Sequence, residues 1–313
     1  MSNSDLQRRE STDYSIVAIG GGHGLASTLR ALRLLECTIT AVVSVADDGG
    51  STGRLRSATP QPAPGDIRKC LSALADSSSL LGRSLEYRFE AGEVAGHALG
   101  NLLIGALAEV TGDLVEALAE LGRLIGSDGQ VLPATTVPVC LVGTVVNEED
   151  PEVRGQVNVS NTAGIGCVRL DPADAPTPPE VQTAIAAADL ILLGPGSLYT
   201  SVLAAMVVPG VMAAVQERTA PLVYLCNLQP EPGEAADYDL AKHMEALARH
   251  GVVPEIVVFD PRTMPEGKRL GDRFPGIEFV KRELAGPTGN AHDASLLAAA
   301  IESVRHVPTR SAS

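Results

Sequence analysis

Short apolar runs alternate with segments of helical periodicity along most of the chain. The run Ser15–Ile19 precedes Gly24–Leu35, whose leucines recur at helical spacing, and Ile39–Val45 follows. This β-α-β order predicts two parallel strands joined by a right-handed crossover. The second half continues the alternation, with predicted strands at Leu190–Leu193, Leu222–Cys226 and Glu255–Phe259 and predicted helices at Tyr238–His250 and 292–304. Repeated βα units predict an α/β fold with a doubly wound, mostly parallel sheet.

The middle of the chain shows a different pattern. Helices are predicted at Asp66–Ala75, 97–110 and 113–125, and the leucines of the second helix, with Val110, are expected on one apolar face. Residues 135–170 then hold three strand-like runs with no helical pattern between them: Val139–Val146, Val153–Val159 and Ile165–Leu170. They predict a small antiparallel β extension. We therefore expect one α/β domain over residues 14–305, a disordered N-terminus over 1–13 and a flexible tail over 306–313.

Composition narrows the functional classes. The formal net charge is -14 at pH 7, which argues against nucleic-acid binding, although a local nest of backbone N–H groups still attracts a small anion. The five cysteines are scattered without a CxxC pair and are expected to be reduced core thiols. No apolar signal sequence opens the chain, and Pro209-Gly210 interrupts the longest apolar run. The sequence predicts a cytoplasmic protein without membrane insertion.

Two glycine-rich loops are the first candidates for a ligand site. Gly21, Gly22 and Gly24 follow the first predicted strand directly and open a helix. The second loop follows the strand Leu190–Leu193 in the same way, and its candidate residues are Gly194, Gly196, Ser197, Tyr199 and Thr200. Glycine lets the backbone approach a phosphate, and a helix N-terminus offers unpaired N–H groups. Two such loops predict a nucleotide-type phosphate ligand held between them, near a topological switch point of the sheet.

Carboxylates follow the second predicted strand. Asp47 and Asp48 stand in a loop rich in glycine and serine, together with Ser51. The pair would hold a hard cation such as Mg²⁺ or hydrogen-bond a ribose, and a solvated turn is the alternative. Arg68 and Lys69 are among the nearby basic residues that would neutralise phosphate.

Three more polar residues complete the candidates from spacing alone. Asp66 is either the N-cap of its helix or a residue of the site. His97 and Asn101 are four positions apart and are predicted to share a helical face, where Asn101 would contact the ligand. His97 and Asp66 are the candidate acid–base residues if the protein is an enzyme. Asn227, which follows the strand Leu222–Cys226, is a further ligand-binding candidate.

Taken together, these motifs resemble the YvcK-like gluconeogenesis factors of the CofD-like superfamily. The resemblance covers nearly the whole chain and is weaker from YLCNLQPEPGE to AHDASLLAAAI. Its main strings are AIGGGHGL, VVSVADDGGSTGRLR, PAPGDIRKCLSALAD, GHALGNLLIGAL, GQVLPATTVPV and DLILLGPGSLYTSV. It implies a Rossmann-like fold and UDP-sugar binding. It also implies a role in cell shape and cell-wall metabolism during gluconeogenic growth, with regulatory protein partners or a homo-oligomer.

The resemblance leaves the question of enzymatic activity open. The enzyme branch of the superfamily transfers a 2-phospholactyl group with Mg²⁺, which would give Asp47, Asp48 and Asp66 metal or phosphate roles. This chain departs from that branch at Gly194–Tyr199, where a Ser-Asn-Pro loop is expected. The leading hypothesis is a UDP-sugar-binding regulator. The alternatives are an Mg²⁺-dependent phosphotransferase and an NAD(P)-binding oxidoreductase, in which Asp47 would bind the ribose.

Overall fold

The computed structural model describes residues 14–49, 62–146, 152–267 and 270–305. The predicted disordered N-terminus, the predicted tail and Ser51 lie outside these residues. The strands are β1 Ser15–Gly20, β2 Thr38–Val43, β3 Gln130–Pro133, β4 Cys140–Val145, β5 Glu152–Arg154, β6 Ile165–Asp171, β7 Leu190–Leu193, β8 Leu222–Leu225, β9 Ile256–Phe259 and β10 Glu278–Lys281.

The helices, numbered in chain order within the described residues, pack on both faces of the main sheet or border its loops. They are α1 Gly22–Leu32, α2 Pro64–Leu74, α3 Leu80–Ser84, α4 Leu99–Thr111, α5 Leu114–Ile125, α6 Gln156–Ser160, α7 Pro179–Ala186, α8 Ala204–Met206, α9 Pro209–Glu217, α10 Leu240–Arg249, α11 Leu270–Arg273 and α12 Ala294–Val304. A π-helical segment, Leu198–Leu203, directly precedes α8.

The main sheet has seven parallel strands in the order β10-β9-β8-β7-β1-β2-β3. The chain therefore builds outward from β1 to β3 on one side and, after β7, outward to β10 on the other. This is the doubly wound order of a Rossmann-like fold, and it confirms the predicted class. The direction of winding reverses between β1 and β7, which makes the crevice between their carboxyl ends the expected ligand position.

The central strands are buried because helices cover both faces of the sheet. All four residues of β7 and all four of β8 are buried, and their sequences are continuous apolar runs rather than alternating ones. That pattern is the one expected for parallel strands with no solvent-facing side. Helix α1 packs against α2 on one side and α12 on the other, so that the first helix is held from two directions.

A second sheet of three antiparallel strands, in the order β5-β4-β6, forms the predicted β extension. The strand predicted at Val153–Val159 is wrong in its second half, because the chain turns at Gly155 and enters α6. Gly155 has φ +93°, a backbone conformation that residues other than glycine rarely adopt. An added Cβ there would lie 2.4 Å from an Asp48 carboxylate oxygen. Both the backbone conformation of the turn and the close approach of Asp48 therefore require glycine at position 155.

Two helix boundaries also differ from the sequence expectation. Helix α2 is capped by Ala63 with Pro64 in its first turn, so Asp66 is not its N-cap. Helix α4 begins at Leu99, which leaves His97 outside it and removes the predicted common face with Asn101. The fully buried residues of α4 are Gly100, Asn101 and Ile104. Leu103 and Leu107 are half-buried against the core, whereas Val110, predicted on the same face, is 85% exposed.

The five cysteines are free thiols. Cys70 and Cys226 are buried in the core as predicted, whereas Cys37, Cys140 and Cys167 are only half-buried. In the described ranges, no single helix is long and apolar enough to cross a membrane. Leu198–Met206 and Pro209–Glu217 reach that length and composition only as a pair bent by 74°.

The loops after β1 and β7 touch each other at the switch point. The Gly194 N–H donates to the Ile19 carbonyl over 3.0 Å, and the Thr28 hydroxyl of α1 donates to the Gly194 carbonyl over 3.0 Å. At Gly24 the approach is closest, because an added Cβ would stand 2.2 Å from the Pro195 carbonyl oxygen. The atoms that this Cβ would meet all belong to the backbone of Pro195 and Gly196, which cannot move aside as the end of a flexible side chain can.

We expect Gly24→Ala to lower the free energy of unfolding by about 1–3 kcal/mol, the usual cost of overpacking a tight site. Urea unfolding followed by circular dichroism measures the change. The matched control is Gly271→Ala in α11, where an added Cβ meets nothing within 4 Å. Equal stability of the two variants would contradict the close approach of the two loops.

Candidate functional site

A polar cleft opens at the crevice between the carboxyl ends of β1 and β7. Its volume is about 260 Å³. Most of its lining comes from three places: the loop after β1 with the start of α1, the start of α2, and the loop after β7. The lining residues are Gly21, Gly22, His23, Gly24, Asp47, Asp66, Lys69, Gln156, Gly196, Ser197, Ser201 and Glu231.

The N-terminus of α1 faces this cleft. The helix begins at Gly22 and carries no acidic residue in its first turn and no side-chain cap. The first N–H groups of a helix have no partner within the helix, and the helix dipole places partial positive charge there. The cleft therefore offers an anion the backbone donors that the sequence predicted for Gly21, Gly22 and Gly24.

Asp66 and Lys69 reach the cleft from the first turns of α2. The Lys69 ammonium donates to Asp66 Oδ1 over 2.9 Å, and the two side chains are 22% and 13% exposed. The other oxygen, Oδ2, lies against Gly21, where an added Cβ would be 2.7 Å from it. Since an ammonium has three donors, Lys69 can bond Asp66 and an anionic ligand at the same time.

His23 faces the same groups from the start of α1. Burial, and then the Lys69 charge, hold the pKa of His23 below its ordinary value. Asp66 opposes this shift but does not reverse it. The imidazole is therefore neutral at pH 7, and Lys69 is the cation of the cleft lining.

Glu231, which no sequence motif singled out, lies beside Ser197 in the cleft. The Ser197 hydroxyl donates to Glu231 Oε1 over 3.2 Å. Oε2 of the same carboxyl is buried and has no hydrogen-bond partner in the described part of the chain. Ser201, one turn after Ser197, also lines the cleft and was not predicted.

The π-helical segment uses its first N–H groups for internal carboxylates. The Tyr199 N–H donates to Glu234 Oε1 over 3.0 Å, and the Tyr199 hydroxyl bonds the Tyr238 hydroxyl over 2.9 Å. Thr200 is buried next to the same carboxyl, although neither its hydroxyl nor Glu234 Oε2 reaches hydrogen-bonding geometry. Tyr199 and Thr200, both predicted to hold phosphate, therefore lie outside the lining of the cleft, and Glu234 takes the anion position at this helix start.

Burial makes Glu234 an unusual acid. The residue is 1% exposed. Burial, and then the nearby Glu231 charge, raise the pKa of Glu234 to about 7, against the Tyr199 N–H bond and the adjacent Thr200 donors, which lower it. The carboxyl thus changes its ionisation near neutral pH while remaining fixed in the fold.

The two carboxylates predicted to hold a metal are separated by their contacts. Asp47 lines the cleft, and its Oδ1 accepts the Gly49 N–H over 2.9 Å. Asp48 turns away and accepts the Gln156 and Val157 N–H groups, one on each oxygen and both over 3.0 Å. Within the described ranges, no three residues of the His, Cys, Asp and Glu types stand together as metal ligands.

The remaining predicted residues support the cleft from outside it. Asn101 is 1% exposed, and its Oδ1 accepts a hydrogen bond from Arg68 over 3.0 Å. The Asn227 side chain bonds both the N–H and the carbonyl of Gly196, over 2.7 and 2.9 Å, and so fixes the loop after β7. His97 lies in the turn before α4 and does not line the cleft.

Comparison with known proteins gives a consistent result. Residues 16–282 match the family described as 2-phospho-L-lactate transferase CofD. The chain is 40% identical to the gluconeogenesis factor of Bacillus subtilis over 259 residues, which cover 81% of each protein. It is also 40% identical to the gluconeogenesis factor of Halalkalibacterium halodurans, over 78% of this chain and 77% of that one.

A solved structure shows the same architecture. The crystal structure of a UPF0052 family member from Bacillus halodurans superposes with a TM-score of 0.85 and is 33% identical. The superposition covers 92% of this chain and 98% of the other. The doubly wound sheet and the small antiparallel sheet are therefore shared with an experimentally determined fold.

We expect Glu234→Gln to change how stability depends on pH. The pKa of Glu234 in the folded protein, about 7, lies above its ordinary value of 4.5. The stability that this group contributes to the wild type is therefore fully present below pH 4.5 and is lost as the pH rises to about 7. The total loss in the free energy of unfolding is about 3 kcal/mol. Glutamine keeps an acceptor for the Tyr199 N–H but does not ionise. The variant should gain stability relative to wild type between pH 5 and pH 8, measured by urea unfolding. Parallel pH profiles for both proteins would contradict this result, and the exposed Glu93→Gln is the control.

Proposed function

This chain belongs to the CofD family, in the group of the gluconeogenesis factors, and we propose that its cleft binds a UDP-sugar as a regulatory ligand. In this proposal the bound state reports the supply of nucleotide sugar to cell-wall metabolism and cell shape during growth on gluconeogenic carbon sources. The protein acts as a binder and not as an enzyme.

The cleft at the switch point is the observation that carries the proposal. Two strand-to-helix loops meet there, and the N-terminus of α1 and the ammonium of Lys69 face the same space. Backbone donors and one cation suit a phosphate, which in this fold class binds at the carboxyl ends of the strands.

The shape and charge of the cleft support a sugar nucleotide over a larger polyanion. Its volume of about 260 Å³ is below the roughly 300–1,000 Å³ of a complete small-molecule site, so it holds the diphosphate and the rest of the ligand extends along the crevice. Asp47, Asp66 and Glu231 give the lining three carboxyls. Such groups accept hydrogen bonds from hydroxyls of a ribose or sugar and disfavour additional phosphates.

The alternative function is a phosphotransferase, which the description of the matching family suggests. It would need a group that transfers a proton and a cation that offsets charge on the transferred group. Asp66 is bonded to Lys69, His97 stands outside the cleft lining, and Asp48 is used to hold α6. These placements favour binding without turnover.

We expect UDP-glucose to raise the melting temperature of the protein, because a ligand that binds only the folded state stabilises it. At a ligand concentration of a hundred times Kd, the free energy of unfolding rises by about 2.7 kcal/mol. Lys69→Met should weaken the affinity about tenfold or more, since it removes one charge-assisted hydrogen bond. Isothermal titration calorimetry measures the affinity. The matched control is Lys242→Met on α10, whose ammonium pairs with Asp237 and does not line the cleft.

Two outcomes would contradict the proposed ligand. One is the absence of any thermal shift at millimolar UDP-glucose together with a clear shift from GDP, which would favour a guanylyl donor. The other is a selective shift from NAD, which would favour an oxidoreductase.

We expect no release of UDP or phosphate above background when the protein is incubated for hours with UDP-glucose and Mg²⁺. Affinity should also be the same in EDTA and in Mg²⁺, because Asp48, one of the two carboxylates expected to hold a cation, is already bonded by the Gln156 and Val157 N–H groups. A coupled assay for UDP and a colorimetric assay for phosphate measure turnover. Sustained turnover that Asp47→Asn abolishes would establish the phosphotransferase instead.

A further inference from the structure

One side of helix α4 is mostly apolar and faces away from the core. The fully buried residues of this helix, Gly100, Asn101 and Ile104, lie on the side that packs against α2 and α5. Successive residues turn by about 100° around a helix, and the residues on the opposite side are all half-buried or exposed. These residues, which we call the outer face of α4, are Leu99, Leu102, Ala106, Glu109 and Val110.

The outer face lacks the charges that the solvent-facing side of a helix normally carries. Four of its five residues are apolar, and Glu109 is the single charged residue of α4. The following helix, α5, has the usual pattern, because Glu116 and Arg123 are among its exposed residues. A helix that is apolar on all sides is typical of one that is buried on all sides. One copy of this chain buries α4 on one side only, so its outer face is suited to a further partner.

The exposed apolar surface runs the whole length of α4. Val110 stands near the carboxyl end and is 85% exposed. At the amino end, the Leu99 N–H donates to the Tyr87 carbonyl over 2.8 Å, and Tyr87 itself is 57% exposed. The Tyr87 ring packs edge-on against Phe89, with centroids 5.3 Å apart, so it is held in place without being covered. Ordered aromatic side chains of this kind are frequent anchors of protein interfaces.

The parts of the chain outside the described ranges offer no matching surface for the outer face. Their sequences contain no aromatic residue and no isoleucine, and their only leucines are Leu6 and Leu55. Segments of such composition have too few apolar side chains to cover a helix face. A second molecule is therefore the partner that fits.

The two ends of the outer face carry opposite charges. Arg88 pairs with Ala98 in a β-bridge directly before α4, and its side chain is exposed at the amino end. Glu109 is exposed near the carboxyl end. The helix dipole adds partial positive charge at the amino end and partial negative charge at the carboxyl end. A surface with this arrangement is complementary to a copy of itself that runs in the opposite direction.

Other carboxylates near the amino end of α4 have different positions. Glu86 is bonded to Arg68 over 3.2 Å. Glu90 and Glu93 belong to the turn beyond the bridge of Arg88, on its far side from α4. Arg88 is therefore an exposed cation at the start of α4.

We propose that the outer face of α4 is the contact of a homodimer, in which the α4 helices of two copies pack antiparallel about a two-fold axis between Leu102 and Ala106. Leu99 of each copy then faces Val110 of the other. The apolar residues recur at intervals of three and four positions, the spacing of a helix–helix seam, and the small Ala106 side chain leaves room for Leu102 of the second copy. None of these residues lines the cleft, so the proposal does not depend on the proposed function.

The size of the contact sets the expected affinity. A helix of 13 residues is about 20 Å long. A contact of this length falls at the low end of interface sizes, and we expect a dissociation constant of about micromolar order. Because a two-fold contact uses the same surface of both copies, assembly stops at the dimer.

Sedimentation equilibrium of the full chain tests the proposal, over concentrations from about tenfold below to tenfold above this dissociation constant. The average mass should rise from that of the monomer to twice that value and no further. Ala106→Glu places two carboxylates close together across the axis and should weaken the dimer about tenfold or more. The matched control is Ala119→Glu, the same change at an exposed alanine of α5, which should dimerise as wild type does. Circular dichroism establishes that both variants fold.

Charge reversal tests the antiparallel arrangement. Arg88→Glu and Glu109→Arg should each weaken the dimer, because each places like charges together at both ends of the contact. The double variant should restore the affinity, since it rebuilds the pairs with their charges exchanged. Wild-type affinity in Ala106→Glu, or no recovery in the double variant, would overturn the proposal. A wild-type chain that stays monomeric at every concentration would overturn it as well.

Discussion

The close approach of two backbone loops at the carboxyl ends of β1 and β7 is the contact on which the cleft depends. Gly24 has no space for a Cβ beside the Pro195 carbonyl, and Thr28 and Asn227 then fix the second loop through hydrogen bonds to its glycines. The start of α1 thereby faces Ser197 across a narrow space. A wider separation would leave the helix N-terminus to solvent, and the cleft would lose its walls.

Helix N-termini create a second constraint, because the positive ends of α1 and the π-helical segment both require negative partners. The two are satisfied differently. The π-helical segment has internal partners, since Glu234 accepts the Tyr199 N–H, whereas α1 has no acidic residue or side-chain cap in its first turn. Because Glu234 occupies the anion position at the π-helical segment, the start of α1 is the position left open to an anion. The buried Glu234 carboxyl lies in the neighbouring loop. Protein stability is then sensitive to pH through Glu234, which lies in the loop that also carries Glu231.

The sequence pattern predicted the central architecture because buried parallel strands are continuous apolar runs and helices have their own period. It missed β3 and β10, which are four-residue edge strands, one ending in Pro133 and the other with a charged residue at each end, Glu278 and Lys281. From their positions directly after strands, the glycines, Asp47 and Ser197 were expected at the same edge of the sheet, and they line one cleft. Glu231 was missed since a single glutamate in a loop has no spacing signal. Its burial is a product of tertiary packing, and only the fold reveals it.

Tertiary contacts also explain why the adjacent carboxylates Asp47 and Asp48 have different positions. Asp48 holds the first N–H groups of α6 and lies where only Gly155 leaves room, so it attaches the antiparallel sheet to the loop after β2. The same attachment brings Gln156 into the lining of the cleft. The start of α6, which directly follows β5 of the small sheet, is thus part of the site, because Asp48 bonds it while Asp47, the preceding residue, lines the cleft. A change at Asp48 would alter the cleft through the position of Gln156, although Asp48 is not itself part of the lining.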